Sequence, residues 1–350
     1  MPDDERSLSY REAGVDIGAQ DEAIRRLRPH ARSTHTPEVL ADIGTFGGLF
    51  HLGARNLSDP VLVASTDGVG TKLKVAAMAG IHDGVGYDLV SHCVNDILVQ
   101  GASPLFFLDY FATGRLDPAT VESVLSGMAR ACRENGCALI GGELAEMGDL
   151  YRPGDYDIAG FIVGAVERRR LVTGAAIVPG DVLLGLPSAG LHTNGYSLAR
   201  KIAFERMGLK VDDHVAELGT TIGRALLAPH RSYLRALQGL IEQGRLKGMA
   251  HITGGGLTDN VPRILPEGTR AVFTRGAIEV PPIFRLLQRE GRVADDEMWR
   301  TFNMGVGMVL AVAPGELAAV TAHLEGRGER PARIGAIEAG PRGVAWRDGA

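Results

Sequence analysis

The chain has 350 residues, 45% of them hydrophobic and 23% charged, with a net charge of −5. That length holds about two domains, and the slightly acidic balance offers no electrostatic footprint for nucleic acid or an anionic membrane. Three cysteines (Cys93, Cys132, Cys137) without a CxxC pair suit a reducing compartment. No apolar run reaches the ~20 residues of a membrane span, and the opening MPDDERSLSY is too polar for a secretory signal. A cytoplasmic protein is expected, in which Asn56-Leu57-Ser58 is a chance sequon.

In chain order, Val61–Thr66 is a β-branched run that reads as a strand. It continues into Asp67, Gly68, Gly70, Thr71 and Lys72 within VLVASTDGVGTKLK. The P-loop spacing is absent, but a strand ending in Asp delivers a carboxylate to a sheet rim. The glycines let backbone N–H groups approach phosphate oxygens, and Lys72 supplies a point charge. The competing reading is a tight turn with a solvent-facing lysine. Tyr87–Gln100 reads as a helix with Leu89, Val90, Cys93, Val94, Ile97 and Leu98 as its apolar stripe. Opposite them lie Asp88, His92, Asn95 and Asp96. That face is either solvated or a site; a helix with no Lys, Arg or Glu carries unusual occupants for a wet face, and small carboxylates and amides suit magnesium.

Leu105–Phe111 is a second strand. Asp117-Pro118 opens a helix with a cap residue and a first-turn proline, and Val121, Val124, Leu125, Met128 and Cys132 form its core face. Cys137–Ile140 is a strand running into Gly141, Gly142 and Glu143, with Glu146 read as a first-turn helix acid. Convergence of Asp67, Asp96 and Glu143 would raise a carboxylate pKa by mutual repulsion, which a divalent cation relieves; this favours a magnesium–nucleotide site. Ile158–Val166 is another strand, and the basic run Glu167–Arg170 a solvated loop.

Pro179-Gly180 marks a break, so a boundary is placed near residue 172, dividing the chain into 1–172 and 173–350. Beyond it come a strand at Val182–Leu186, then GLHTNGYS with His192 and Asn194 ahead of a helix Ser197–Met207, and one long helix Ile222–Gln243. HITGGGLTDN holds Thr253, Gly254, Gly255 and Gly256. Three consecutive glycines cost backbone entropy, which a close approach to ligand accounts for better than a plain turn. RTFNMGVGM leads into the strand Gly307–Val312, and Ala271–Thr274 is a further strand. The alternation of helices and strands argues for an α/β or α+β architecture.

Six segments, in this order, carry a resemblance over almost the whole chain: TDGVGTKLK, HCVNDILVQGASPLFFLDYFATG, GGELAEM, GLHTNGYSL, HITGGGL and FNMGVGM. They resemble the aminoimidazole ribonucleotide (AIR) synthetase family, the cyclo-ligases of purine biosynthesis. The resemblance implies a two-domain AIR-synthetase-like fold. It also implies a homodimer whose N-terminal sheets pair into a shared barrel, with the active site in a cleft near that interface. It further implies ATP bound by Asp67, Gly68, Gly70, Thr71, Lys72, Asn95, Asp96, Gly142 and Glu143, with Mg²⁺ on Asp67, Asp96 and Glu143. Lys72 and His192 are the expected catalytic residues. Asn194, Thr253, Gly254, Gly255 and Gly256 are the expected contacts to the substrate, formylglycinamidine ribonucleotide. Arg11 and Arg28 stand where the family commonly has lysine, Leu144 where threonine is usual and Met304 where cysteine is. The rivals are related ATP-using enzymes (selenophosphate synthetase, thiamine-monophosphate kinase, a hydrogenase-maturation protein) and a non-catalytic nucleotide-binding paralogue. The "WRDGA" end and a first cysteine at Cys93 count against two of them.

Overall fold

The computed structural model describes residues 16–43, 47–55 and 57–347, so Arg11 and Asn56 lie outside the described residues. The first half comprises α1 (Ile17–Arg32), β1 (Pro60–Gly68), α2 (Lys72–Ala79), α3 (Asp83–Leu98), β2 (Ser103–Thr113), α4 (Pro118–Glu134), β3 (Ala138–Glu146) and β4 (Tyr156–Glu167). Its four strands form one sheet in the order β1-β4-β2-β3, antiparallel except for the β2–β3 pair. The α4 start follows from local chemistry: Asp117 accepts from the Ala119 and Thr120 amides, and Pro118 fills the first turn.

Helix α3 begins a turn earlier than the sequence suggested, and every residue of its predicted stripe is at most 1% exposed. It meets α4 backbone to backbone. A methyl on Gly86 would lie 1.9 Å from the Val124 carbonyl oxygen, and one on Gly127 1.8 Å from that of Asp83. These two glycines therefore serve helix packing and not a ligand. On the sheet face away from α3, Leu62, Phe161 and Tyr110 remain 57%, 42% and 37% exposed, an apolar face that none of the described residues covers.

Strand β3 runs six residues past the expected Ile140, through both glycines. Gly142 is required there because a side chain would come within 2.3 Å of Asp109 Oδ1 on the neighbouring strand. Glu146, expected in a helix, ends this strand, and its carboxylate accepts from the Leu116 and Asp16 amides at 2.8 and 2.6 Å.

The second half comprises β5 (Val182–Pro187), α5 (Tyr196–Arg200), β6 (His214–Val215), β7 (Thr220–Thr221), α6 (Ile222–Leu226), α7 (Leu234–Glu242), β8 (Gly248–His251), α8 (Gly256–Asn260), β9 (Thr269–Thr274), α9 (Pro282–Gly291), α10 (Asp295–Thr301), β10 (Val306–Val312), α11 (Leu317–Gly326), β11 (Ala332–Ala339) and β12 (Gly343–Arg347). Six strands build its sheet in the order β12-β9-β11-β5-β10-β8, and β6–β7 is a separate hairpin. The expected helix Ile222–Gln243 is two helices. Pro229 lacks the N–H a continuous helix needs, and residues 227–233 link α6 and α7 as a turn followed by irregular backbone. The helix expected at Ser197–Met207 is a short α-turn followed by a π-helical stretch, Lys201–Arg206.

Period-2 alternation divides this sheet between two cores. Val182, Leu184, Leu186, Met308, Leu310 and Val312 join α7, α11 and the helices of the first half, while Leu183, Val309 and Ala311 join α5, α9 and α10. One core thus runs from the first sheet into the second, with α3 between them. The α3 face carrying Asp88, His92 and Asn95 is accordingly buried against the second half and not solvated.

Candidate active site

The site forms where the end of β1, one face of α3 and the end of β8 meet. His92 Nε2 lies 2.8 Å from Asp67 Oδ2 and 3.6 Å from Asp96 Oδ2. Asp96 Oδ1 in turn lies 2.8 Å from His251 Nδ1, and Ser65 Oγ donates to Asp96 Oδ2 at 3.1 Å. The spacing of His92 and Asp96, one helical turn apart, is what aims both at the strand end. A ring of contacts closes behind them. His251 Nε2 is 3.0 Å from His230 Nε2, His230 Nδ1 is 3.2 Å from Thr193 Oγ1, and that hydroxyl is 2.8 Å from His92 Nδ1. The carboxylates face outward, with 43% of the Asp67 and 23% of the Asp96 side chain exposed against 3% for both His92 and His251.

The electrostatics follow from this nesting. Burial pushes the Asp67 and Asp96 carboxyls up, but the imidazoles beside them outweigh it and hold both below the usual carboxylate range. Burial pulls His92 down, yet the surrounding carboxylates of Asp67 and Asp96 raise it above an ordinary histidine. For His251 burial wins, and its pKa falls. His192 and His230 fall well below the usual value, through burial first and neighbouring positive groups second.

Gly68, Gly70 and Thr71 stand beside Asp67 as expected. Gly70 adopts φ +55°, and Thr71 Oγ1 lies 3.3 Å from Ser197 Oγ, which brings this turn against the second half. The Asn194 and Thr253–Gly256 segments also adjoin: Asn194 Oδ1 is 3.3 Å from where a Gly254 side chain would start. Asn260 ties this loop by donating to the Thr253, Gly254 and Gly256 carbonyls. Gly255 and Gly256 both have positive φ, and a methyl on Gly256 would strike the Trp299 carbonyl oxygen at 2.0 Å.

Five expected contacts lie elsewhere. Lys72 is fully buried, with its ammonium 2.6 Å from Asp88 Oδ2 and donating to the His192 and Ala228 carbonyls at 3.0 and 2.7 Å. The first turn of α2 points it inward, and Lys74 is the partly exposed lysine of the stretch, paired with Asp155. His192 is also fully buried, stacked on His230 with ring centroids 4.1 Å apart, and its Nε2 accepts from the Ala189 amide. Asn95 is committed to the 231–233 segment, donating to the Arg231 carbonyl and accepting from the Tyr233 amide. Gly142 and Glu143 lie on β3, the opposite edge of the sheet from Asp67. The register Gly68–Ala159–Tyr110–Glu143 puts three strand spacings, roughly 14 Å, between them. Glu143 shares the face of exposed Tyr110.

His230, Thr193 and His251 are the functional neighbours that sequence reasoning missed. His230 was hidden in an apparent helix whose only warning was Pro229. His251 ends an apolar strand, where a histidine draws attention only once its position beside Asp96 is known.

Two packed α/β halves of this kind are a fold also found in other solved structures. Thiamine-monophosphate kinase from Stenotrophomonas maltophilia K279a superimposes with a TM-score of 0.66 at 17% identity, covering 94% of this chain and 97% of its own. Escherichia coli HypE, a hydrogenase maturation protein, gives 0.66 at 18% identity, covering 93% and 94%. The sequence is far closer to another group. Residues 53–166 match the N-terminal domain and residues 178–348 the C-terminal domain of AIR synthase related proteins. Phosphoribosylformylglycinamidine cyclo-ligase of Anaeromyxobacter dehalogenans is 54% identical over 97% of this chain and 98% of its own length. The cyclo-ligase of Trichlorobacter lovleyi is 52% identical over 94% and 95%. The chain belongs to the AIR synthase family, among the phosphoribosylformylglycinamidine cyclo-ligases.

Proposed function

We infer that this protein closes the imidazole ring of 5-aminoimidazole ribonucleotide, using ATP and formylglycinamidine ribonucleotide and releasing ADP and phosphate. The observation that carries the reading is the 54% identity, over nearly the full length of both chains, to a protein named for that reaction. ATP as co-substrate has further support in a fold neighbour, HypE, solved in complex with ATP. Among the described residues no helix is long and apolar enough to cross a membrane.

The chemistry asks for little covalent participation by the protein. The substrate's amide oxygen takes the γ-phosphoryl group, which makes it a good leaving group. A nitrogen of the same molecule then attacks that carbon and phosphate departs. Positioning and charge stabilisation are the tasks left to the chain. The outward carboxylates of Asp67 and Asp96 fit a magnesium ion, which commonly takes one or two carboxylates together with substrate phosphates and neutralises phosphoryl charge when bound. Gly70 and Thr71 offer backbone N–H groups beside them, while Gly68 gives its own N–H to Asp67 Oδ1, and Asn194 with the Thr253–Gly256 loop receives the ribonucleotide. His192 and Lys72 support the site from behind: Lys72 fixes the His192 carbonyl, and His192 packs His230 in place.

The working unit we propose is a homodimer. The exposed Leu62, Tyr110 and Phe161 face is the surface a second copy would cover, in the barrel-like pairing the family implies. In that arrangement Glu143 reaches an Asp67–Asp96 pair supplied by the other subunit. The division near residue 172 separates the nucleotide-binding half from the second sheet.

Incubation with Mg-ATP and formylglycinamidine ribonucleotide is expected to give ADP and aminoimidazole one for one, with neither formed once the metal is chelated. ADP without aminoimidazole would overturn the assignment.

A further inference from the structure

Asp67 stands at the exposed rim with the buried His92 ring behind it, so whatever holds His92 also sets where that carboxylate points. We propose that Thr193 is a positioning residue for the reaction, its hydroxyl fixing the plane and tautomer of the His92 ring and thereby its aim at Asp67. The proposal rests on the cyclo-ligase reading only for the reaction whose rate it affects.

Three observations carry it. The first is that the hydroxyl, and not the carboxylate, makes the directed bond to the ring. His92 Nδ1 is hydrogen-bonded to Thr193 Oγ1 at 2.8 Å, whereas Nε2 lies 2.8 Å from Asp67 Oδ2 without an aligned hydrogen-bond partner. Attraction between charges tolerates a range of ring angles, while a hydrogen bond weakens steeply off line. The ring plane is therefore set from the Thr193 side.

The second is the use this hydroxyl makes of its bonding capacity. A hydroxyl donates one hydrogen and accepts through two lone pairs. Thr193 Oγ1 meets His92, His230 Nδ1 at 3.2 Å and the Asn194 side-chain amide at 3.5 Å. It answers both imidazoles whichever of them donates, which a valine of the same shape cannot do. Thr193 and His92 are 7% and 3% exposed, so bulk water does not stand in for it. The third is the backbone that delivers it. His192, the residue before, has φ +59°, a left-handed conformation that a side-chain-bearing residue keeps only where its surroundings impose it. Here the His192 carbonyl accepts from the Lys72 ammonium at 3.0 Å and from the Tyr196 hydroxyl at 3.2 Å. The strained turn sets the next side chain between two rings, and Asn194 follows it directly. One loop thus carries a residue proposed to meet the ribonucleotide and the hydroxyl that aims His92.

The test compares Thr193→Val and Thr193→Ser with the unsubstituted full-length protein, using Mg-ATP and formylglycinamidine ribonucleotide. Valine should lower kcat about 10–100-fold, the usual cost of losing a hydrogen-bond partner that stands behind a site. KM for the ribonucleotide should change by less than about threefold, because the hydroxyl acts on the aim of Asp67 and not on ground-state binding. Serine keeps the hydroxyl and should stay within about threefold of the original kcat. Imidazole ¹⁵N spectra at one pH supply a readout that a merely structural threonine would leave unmoved, with the His92 signals assigned by their loss in His92→Gln. In the unsubstituted protein His92 should show one fixed pattern with Nε2 protonated; in Thr193→Val its hydrogen should spread over both nitrogens. A His92 signal already averaged between tautomers in the unsubstituted protein overturns the proposal without recourse to a variant. So does an identical pattern or an unchanged kcat in Thr193→Val, or an equal loss of kcat in Thr193→Ser. Absence of aminoimidazole from the unsubstituted protein sinks the cyclo-ligase reading instead, and the His92 spectra still decide what aims the ring.

Discussion

Lys72→Met is expected to cost about 3–5 kcal/mol of stability, the penalty for removing one partner of a fully buried ion pair. Asp88 would keep its bond from the His230 amide at 2.6 Å but lose its counter-charge. The carbonyls of His192 and Ala228 would lose a shared donor at the junction of the two halves. Burial pulls the lysine pKa down and the aspartate pKa up, so neither charge is comfortable alone. The double variant Lys72→Met/Asp88→Leu should recover much of the loss, since apolar replacement of a buried pair is often near neutral. Urea denaturation of the three proteins tests this. A stable Lys72→Met protein with weakened ATP affinity would show instead that this lysine meets phosphate.

Asp96→Asn is expected to lower kcat/KM by about 10²–10³-fold without disturbing the fold. Its side chain is partly exposed, so the amide can be accommodated, and its remaining oxygen can still meet His251. What disappears is the negative charge shared by His92 and His251. Steady-state kinetics alongside far-UV circular dichroism separates the two effects. An unaltered kcat/KM would remove Asp96 from the site.

Much of this architecture was legible because it is local. The α3 stripe, the Asp117 cap and the alternating strands announce themselves by period and by turn chemistry. Asp67 and Asp96 were legible as acids placed where solvation alone is a poor explanation. What the sequence could not convey was direction. Lys72 reads as a phosphate ligand until the first turn of α2 aims it at Asp88, 16 residues further on. Asn95 reads as a ligand until the 231–233 backbone takes both ends of its amide. Glu143 repeats the glycine-then-acid pattern of Asp67, yet the strand order, a tertiary property, sends the two to opposite edges. The histidine ring was invisible for the same reason, since its members come from α3, the Thr193 loop, the Pro229 break and the end of β8.

The strand order β1-β4-β2-β3 has a genetic consequence. In the homodimer we propose, a catalytic centre assembled from the β1 edge of one subunit and the β3 edge of the other can be inactivated from either side independently. Chains carrying Asp67→Asn and chains carrying Glu143→Gln would each be silent alone. In a mixed dimer, however, one of the two centres draws both its acids from unaltered positions. Random reassortment of equal amounts should therefore restore about a quarter of the original activity. Two alleles that fail separately would complement each other in one cell.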